Sequence, residues 1–110
     1  MQKTVAIVVF SGVQALDVTG PMDVFSEANR FLAPHDHYRL EVIGIERGMM
    51  PCSNGLSLNA HRHFSAALDA YDLLLVAGGP QLPFMNFGAT FDAWLRDACA
   101  RARRFGSICN

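Results

Sequence analysis

Three stretches of this 110-residue sequence carry groups suited to chemistry. Cys109 follows Phe105-Gly106-Ser107-Ile108, which reads as a strand, so the thiol falls at the strand's carboxyl end. On a turn between a strand and a helix, the helix dipole and free N–H groups lower a thiol pKa and favour the thiolate nucleophile. The competing reading is a buried structural cysteine. Asp17 follows Val13 and Leu16 in an otherwise apolar stretch. A carboxyl group there can hold a raised pKa and share a proton with a neighbour. The commoner role for such an aspartate is a helix N-cap. Gly78-Gly79 lets a ligand approach the backbone, and its N–H groups would suit an oxyanion hole. The bland alternative is a tight turn. The pair lacks the G-x-G-x-x-G spacing of a dinucleotide fingerprint.

Other polar residues read as structural. His35-x-His37 and His61-x-His63 have neither i,i+4 pairing nor a cysteine pair at zinc spacing, so they are expected in surface loops, with no metal site. Cys99 falls on an apolar helix face and is assigned to the core, while Cys52 lies beside a hairpin with no evident partner. Arg101, Arg103 and Arg104 suit a solvated helix end, where cations favour the dipole.

The elements that must position these groups follow from periodicity. Thr4–Phe10 (TVAIVVF) is a continuous β-branched run, the pattern of a strand buried on both faces. Leu16–Pro21 is turn-rich and leads into a helix whose apolar face is Pro21, Val24, Phe25, Ala28 and Phe31, with proline in its first turn. Tyr38–Ile45 is a second strand. Gly48–Ala60 contains Asn54-Gly55, a hairpin signal. Leu73–Ala77 is a third buried strand, stopped by Gly78-Gly79-Pro80, and 81–89 is a loop or short helical turn. Phe91, Trp94, Leu95, Ala98, Cys99 and Ala102 mark one face of a second helix, and Phe105–Ile108 is a fourth strand. The order β-α-β-hairpin-β-α-β predicts an α/β fold, flavodoxin- or Rossmann-like, with a mostly parallel sheet and helices on both faces. In such sheets ligands bind at the carboxyl ends of strands, where Asp17, Gly78-Gly79 and Cys109 would meet.

Composition narrows the partners. Nine Lys+Arg against ten Asp+Glu give a net charge of -1, so no basic excess drives nucleic-acid binding. With 51% hydrophobic and 17% charged residues, the chain reads as one globular domain. It has no apolar run of the roughly 20 residues that span a membrane, and no signal-peptide pattern. Three cysteines fit a reducing cytoplasm better than a disulfide framework.

Together, VAIVVF-SGVQALDVTGPMDVFSEANR, SNGLSLNA, DLLLVAGGP and AWLRDACARARRFGSICN resemble the DJ-1/PfpI (ThiJ/PfpI) superfamily, which is similar in fold to class I glutamine amidotransferases. The resemblance runs along essentially the whole chain. It implies that residues 1–110 are the N-terminal portion of one such domain, interrupted at its nucleophile elbow, and that this portion alone is poorly soluble or self-associates. It makes Cys109 the elbow cysteine and Asp17 its acidic partner. Gly78 and Gly79 become the adjacent backbone turn, and Asn110 stands where relatives often carry threonine, beside the ligand. Two branches share the pattern. The preferred one is the N-terminal domain of AraC-type transcriptional regulators, which would bind a small metabolite, dimerise when complete, and reach DNA only through a helix-turn-helix domain absent from this chain. The alternative is an isocyanide hydratase-like enzyme, with Cys109 as nucleophile and Asp17 as general acid or base. A third reading is a cysteine redox sensor or an inactive fold. No cofactor is implied.

Overall fold

The computed structural model describes residues 1–109. Asn110 lies outside the described residues, as does any helix expected after it. Strands β1 (Lys3–Val9), β2 (Tyr38–Gly44), β5 (Arg62–His63), β6 (Leu73–Val76) and β7 (Arg104–Ser107) form one five-stranded sheet in the order β5-β2-β1-β6-β7. Every pairing in it is parallel. A hairpin, β3 (Met49–Pro51) and β4 (Ser57–Asn59), pairs separately and antiparallel. Its turn carries Gly55 at φ 92°, the left-handed conformation that glycine adopts without steric cost. The Asn54 Oδ1 accepts from the Leu56 N–H at 3.0 Å.

The apolar run of β1 serves two cores at once. Alternate residues of a strand point to opposite faces. Ile7 and Val9 join Val42, Ala15 and Val18 on one side, and Ala6 and Val8 join Ile43, Leu74, Phe91 and Ala98 on the other. Helix α1 (Ala15–Asn29) therefore covers the first face and α2 (Ala89–Arg101) the second. The right-handed crossover rule produces this: β1 to β2 and β6 to β7 step in opposite directions across the sheet.

Helix α1 differs from the sequence expectation in start and in facing. It begins at Ala15 rather than Pro21, so Pro21 sits inside it, with no N–H to offer the Asp17 carbonyl. Its packed side is Ala15, Val18 and Met22. Phe25 is only half-buried, against Tyr38 at 4.9 Å between ring centres. Val24 and Phe31 are 67% and 81% exposed, and Phe31 lies past the helix end. That end is fixed by Asn29, whose Nδ2 donates to the Tyr38 carbonyl at 2.9 Å while its Oδ1 accepts from the Tyr38 N–H at 2.7 Å. Arg103 and Arg104 likewise lie beyond α2, with Arg104 opening β7; Arg101 alone belongs to the helix end, its Nε donating to the Asp69 carbonyl at 2.6 Å.

β5 and its surroundings were not foreseen. His63 is half-buried in this strand rather than in a surface loop, its Nε2 bonded to the Ile45 carbonyl and its Nδ1 to Ser65. Arg62 holds Glu41, a carboxylate only 6% exposed on β2, with Nε at 3.0 Å. The buried Tyr71 hydroxyl donates to the same Glu41 Oε1 at 2.6 Å and accepts from the Leu68 N–H at 3.0 Å. Burial, and then the bond to Glu41, push the Tyr71 pKa up to about 12.

The folded Tyr71 value lies above the ordinary 10, so the protonated phenol stabilises the fold fully below pH 10. That contribution is lost as pH rises through about 12. Denaturant unfolding followed from pH 9 to 12.5 should show this loss. Tyr71→Phe should remove it and cost about 1–3 kcal/mol at neutral pH, because Glu41 keeps one partner fewer in a buried place. An unchanged pH profile in Tyr71→Phe would exclude the phenol as its source.

Candidate functional site

The site lies at the carboxyl ends of β1, β6 and β7. After β1 the chain turns at Gly12, φ 93°, and enters α1 through Val13 and Gln14. The hairpin braces this turn: the Gly12 N–H donates to the Pro51 carbonyl at 2.8 Å, and the Ser53 N–H to the Val13 carbonyl at 2.9 Å. After β6, Ala77, Gly78 and Gly79 are all buried. After β7, the Ile108 N–H donates to the Val76 carbonyl at 2.9 Å and leads to Cys109.

Gly78 is where the three segments meet. Its carbonyl accepts from the Gln14 N–H at 2.8 Å, and its N–H donates to Asp17 Oδ2 at 3.1 Å. A Cβ on Gly78 would lie 2.7 Å from the Ile108 carbonyl oxygen, 2.9 Å from Asp17 Oδ2 and 3.1 Å from the Cys109 Cβ. Asp17 and Cys109 are thus neighbours across a glycine, although 92 positions separate them in sequence (109 minus 17). Gly79 is packed as tightly, with the Gly12 carbonyl oxygen 2.7 Å from where its Cβ would be.

Cys109 is exposed, and its φ of 63° is the one positive value at a non-glycine residue among the described residues. Such a conformation costs on the order of 1–3 kcal/mol and holds the side chain out from the turn. The structure therefore brings together Asp17, Gly78, Gly79 and Cys109. It departs from the sequence reading in two respects. Asp17 is not the N-cap of α1: Gln14 holds that position, and the Asp17 carboxylate reaches across to β6 instead. The Gly78 N–H is committed to Asp17, so it is not an oxyanion donor. Cys52 and Cys99 lie apart, in the core and at its margin, where burial pushes both thiols up.

A cavity of about 260 Å³ opens beside Cys109, lined by Gln14, Gly79, Pro80, Pro83 and Cys109. Gln14, Pro80 and Pro83 were missed in sequence, though a glutamine between Val13 and Ala15 breaks an apolar stretch and was a usable signal. A wider groove of about 350 Å³, bordered by Lys3, Asp72, Arg103 and Arg104, lies at the opposite, amino ends of the strands. Among the described residues, no group of three His, Cys, Asp or Glu side chains gathers as metal ligands would. Among the described residues, no helix is long and apolar enough to cross a membrane.

Residues 3–110 match the DJ-1/PfpI family. An uncharacterized protein in the cpoL 5' region of Streptomyces lividans is 38% identical over 105 residues, which are 96% of this chain and 72% of that protein. Among solved structures, a ThiJ/PfpI family protein from Pseudomonas syringae superposes with a TM-score of 0.83 at 19% identity, over 99% of this chain and 43% of the other. An AraC family transcriptional regulator from Pseudomonas putida superposes with a TM-score of 0.76 at 27% identity, over 96% of this chain and 63% of that one. Drosophila melanogaster DJ-1beta gives 0.79 at 19% identity, over 99% and 56%. The chain thus spans 43% to 63% of the length of these three solved structures.

Gly78→Ala should destabilise the protein by about 1–3 kcal/mol, since three segments must part to admit one methyl group. Gly106→Ala is the control. Its new Cβ would meet only Leu75 Cδ2, at 4.0 Å, so it should be close to neutral. Paired urea titrations check this; equal effects of the two substitutions would contradict the close packing at Gly78.

Proposed function

The chain belongs to the DJ-1/PfpI family, and from that premise we propose that it is part of the ligand-sensing domain of an AraC-type transcriptional regulator. The observation that carries this reading is the 27% identity to the Pseudomonas putida AraC family regulator along 96% of the chain. The site's geometry supports it. The Cys109 cavity is walled by Gln14 at the start of α1, by the Gly79–Pro83 loop and by the turn after β7. A small molecule there would touch three segments that converge around Gly78, and could favour one arrangement of them over another. Differential affinity of that kind is what a switch requires. With a net charge of -1, this segment leaves DNA contact to a helix-turn-helix domain elsewhere in the protein. A cytoplasmic homodimer is the expected working form.

A second reading rests on Cys109 itself. Its exposure, its φ of 63° and the nearby Asp17 carboxyl suit an isocyanide hydratase-like enzyme. The sulfur would bond to an electrophilic carbon, and Asp17 would pass a proton to the atom that gains the electron pair.

Experiments on the full-length protein separate the two. Under the regulator reading, Cys109→Ala binds its DNA sites within about threefold of the parent, while carbamidomethylation of Cys109 fills the cavity and shifts that affinity about 5–150-fold. Absence of sequence-specific DNA binding in a genomic selection would remove the regulator reading. Hydration of cyclohexyl isocyanide that vanishes in Cys109→Ala would establish the enzyme.

A further inference from the structure

We infer that Asn54 is a self-modifying site. Its carboxamide closes on the Gly55 amide nitrogen to an imide, which water opens to aspartate or isoaspartate. The isoaspartyl product releases the brace that the hairpin places on the Gly12–Val13 turn. The inference stands apart from the ligand reading.

The hairpin tip carries the argument. The Cys52 N–H donates to the Leu56 carbonyl at 2.6 Å, and the Gly55 N–H to the Cys52 carbonyl at 3.0 Å. Ser53, Asn54 and Gly55 therefore form a three-residue loop with its last residue left-handed. All three are exposed. Asparagine is among the residues that heat degrades most readily. Two features favour ring closure at this one. Gly55 has no side chain to obstruct its nitrogen, and nothing lies within 4 Å of where its Cβ would be. The Asn54 Oδ1 accepts from the Leu56 N–H at 3.0 Å. That bond turns the carboxamide toward the chain that follows it, and sets a donor on the oxygen that gains charge during the attack.

The other described asparagines lack this combination. Asn86 Oδ1 takes the same kind of bond, from the Gly88 N–H at 3.0 Å, but its successor is Phe87, whose ring packs against Phe10 and Phe91. Asn29 holds the Tyr38 backbone through both its oxygen and its nitrogen. Asn59 lies within β4, paired with Met49, and precedes Ala60.

Water is the sole co-reactant, and nothing is oxidised or reduced. The bond from the Gly55 N–H to Cys52 opens. The Gly55 nitrogen gives its proton to solvent and bonds to Asn54 Cγ, and the carboxamide nitrogen leaves as ammonia. Water then cleaves the imide. Cleavage at Cγ gives aspartate. Cleavage at the main-chain carbonyl gives isoaspartate, whose main chain runs through Cβ and Cγ and is one carbon longer. A loop this short, closed by two hydrogen bonds, does not absorb the extra carbon unchanged. Its tip also holds the entry to α1. The Ser53 N–H bonds to the Val13 carbonyl at 2.9 Å and the Gly12 N–H to the Pro51 carbonyl at 2.8 Å, while the Gly12 carbonyl oxygen abuts Gly79.

Incubation of the full-length protein in water enriched in heavy oxygen, at mildly alkaline pH, tests this by peptide mass spectrometry. Asn54 should become aspartate and isoaspartate carrying one solvent oxygen, about tenfold or more faster than Asn86 converts. Asn54→Gln should abolish conversion at this position, because the larger ring closes poorly. The isoaspartyl fraction, separated by chromatography, should exchange its Gly12 and Ser53 amide hydrogens about tenfold faster than the parent. Asn54→Asp, with an ordinary main chain, should exchange them as the parent does. An Asn54 that stays intact, or converts no faster than Asn86, would overturn the modification site. Isoaspartyl protein with parent-like exchange at Gly12 and Ser53 would overturn the release of the brace.

Discussion

The arrangement depends on the missing side chain of Gly78. Its carbonyl and its N–H both bond to the first turn of α1, one through the Gln14 N–H and the other through the Asp17 carboxylate. With no Cβ in the way, the backbone after β7 closes to contact distance on the opposite side. Helix α1 is thereby tied to β6, and Cys109 is set beside Asp17. Neither bond is strong alone, about 0.5–1.5 kcal/mol for the backbone pair and about 1.5–3 kcal/mol for a carboxylate acceptor. Their joint effect is positional: one residue sets the spacing of three chain segments that are distant in sequence.

The remainder of the fold keeps that junction in place. The hairpin clasps the Gly12–Val13 turn, so the entry to α1 is held from both sides. Asn29 locks the other end of α1 to the start of β2. On the second face, Glu41 brings a carboxylate into a nearly dry environment, where Arg62 and Tyr71 satisfy it. An ion pair in such a place is weak evidence for stability, since desolvation offsets most of its attraction. It does give the short strand β5 a definite partner on β2, which two backbone positions alone would hold poorly.

Strong local signals were legible in the sequence. The TVAIVVF and LLLVA runs became adjacent strands; β1 is buried on both faces as its composition implies, whereas in β6 only Leu74 is fully buried and Leu73, Leu75 and Val76 are half-buried. Asn54-Gly55 made its hairpin. The positions of Asp17, Gly78-Gly79 and Cys109 at strand ends led directly to the site. What escaped depended on long-range contacts. The start of α1 was misplaced because proline suggested a first turn, whereas the Gly78 contacts draw the helix back to Ala15. Asp17 looked like a cap because its partner is 61 positions away. The apolar face of α1 was misjudged because Val24 and Phe31, two of the large residues assigned to it, do not face this sheet. Glu41 sat in an alternating strand pattern, which says nothing of a half-buried arginine and a buried tyrosine waiting opposite.

The central place of β1 has a consequence for how the chain is made. β1 is made before the strands it joins, yet it pairs with β2 and β6 on its two edges. Its link to the start of β6 joins Thr4 to Asp72, 68 positions later. At ordinary translation rates of about 5–20 residues per second, that interval lasts roughly 3–14 s. During it, VAIVVF is an uncharged, β-branched segment with open hydrogen-bonding edges, the composition that self-pairs between chains. Parallel sheets of this kind close slowly, because each pairing must wait for a distant strand. The strand that anchors the finished site is therefore also, while it waits, an edge open to pairing between chains.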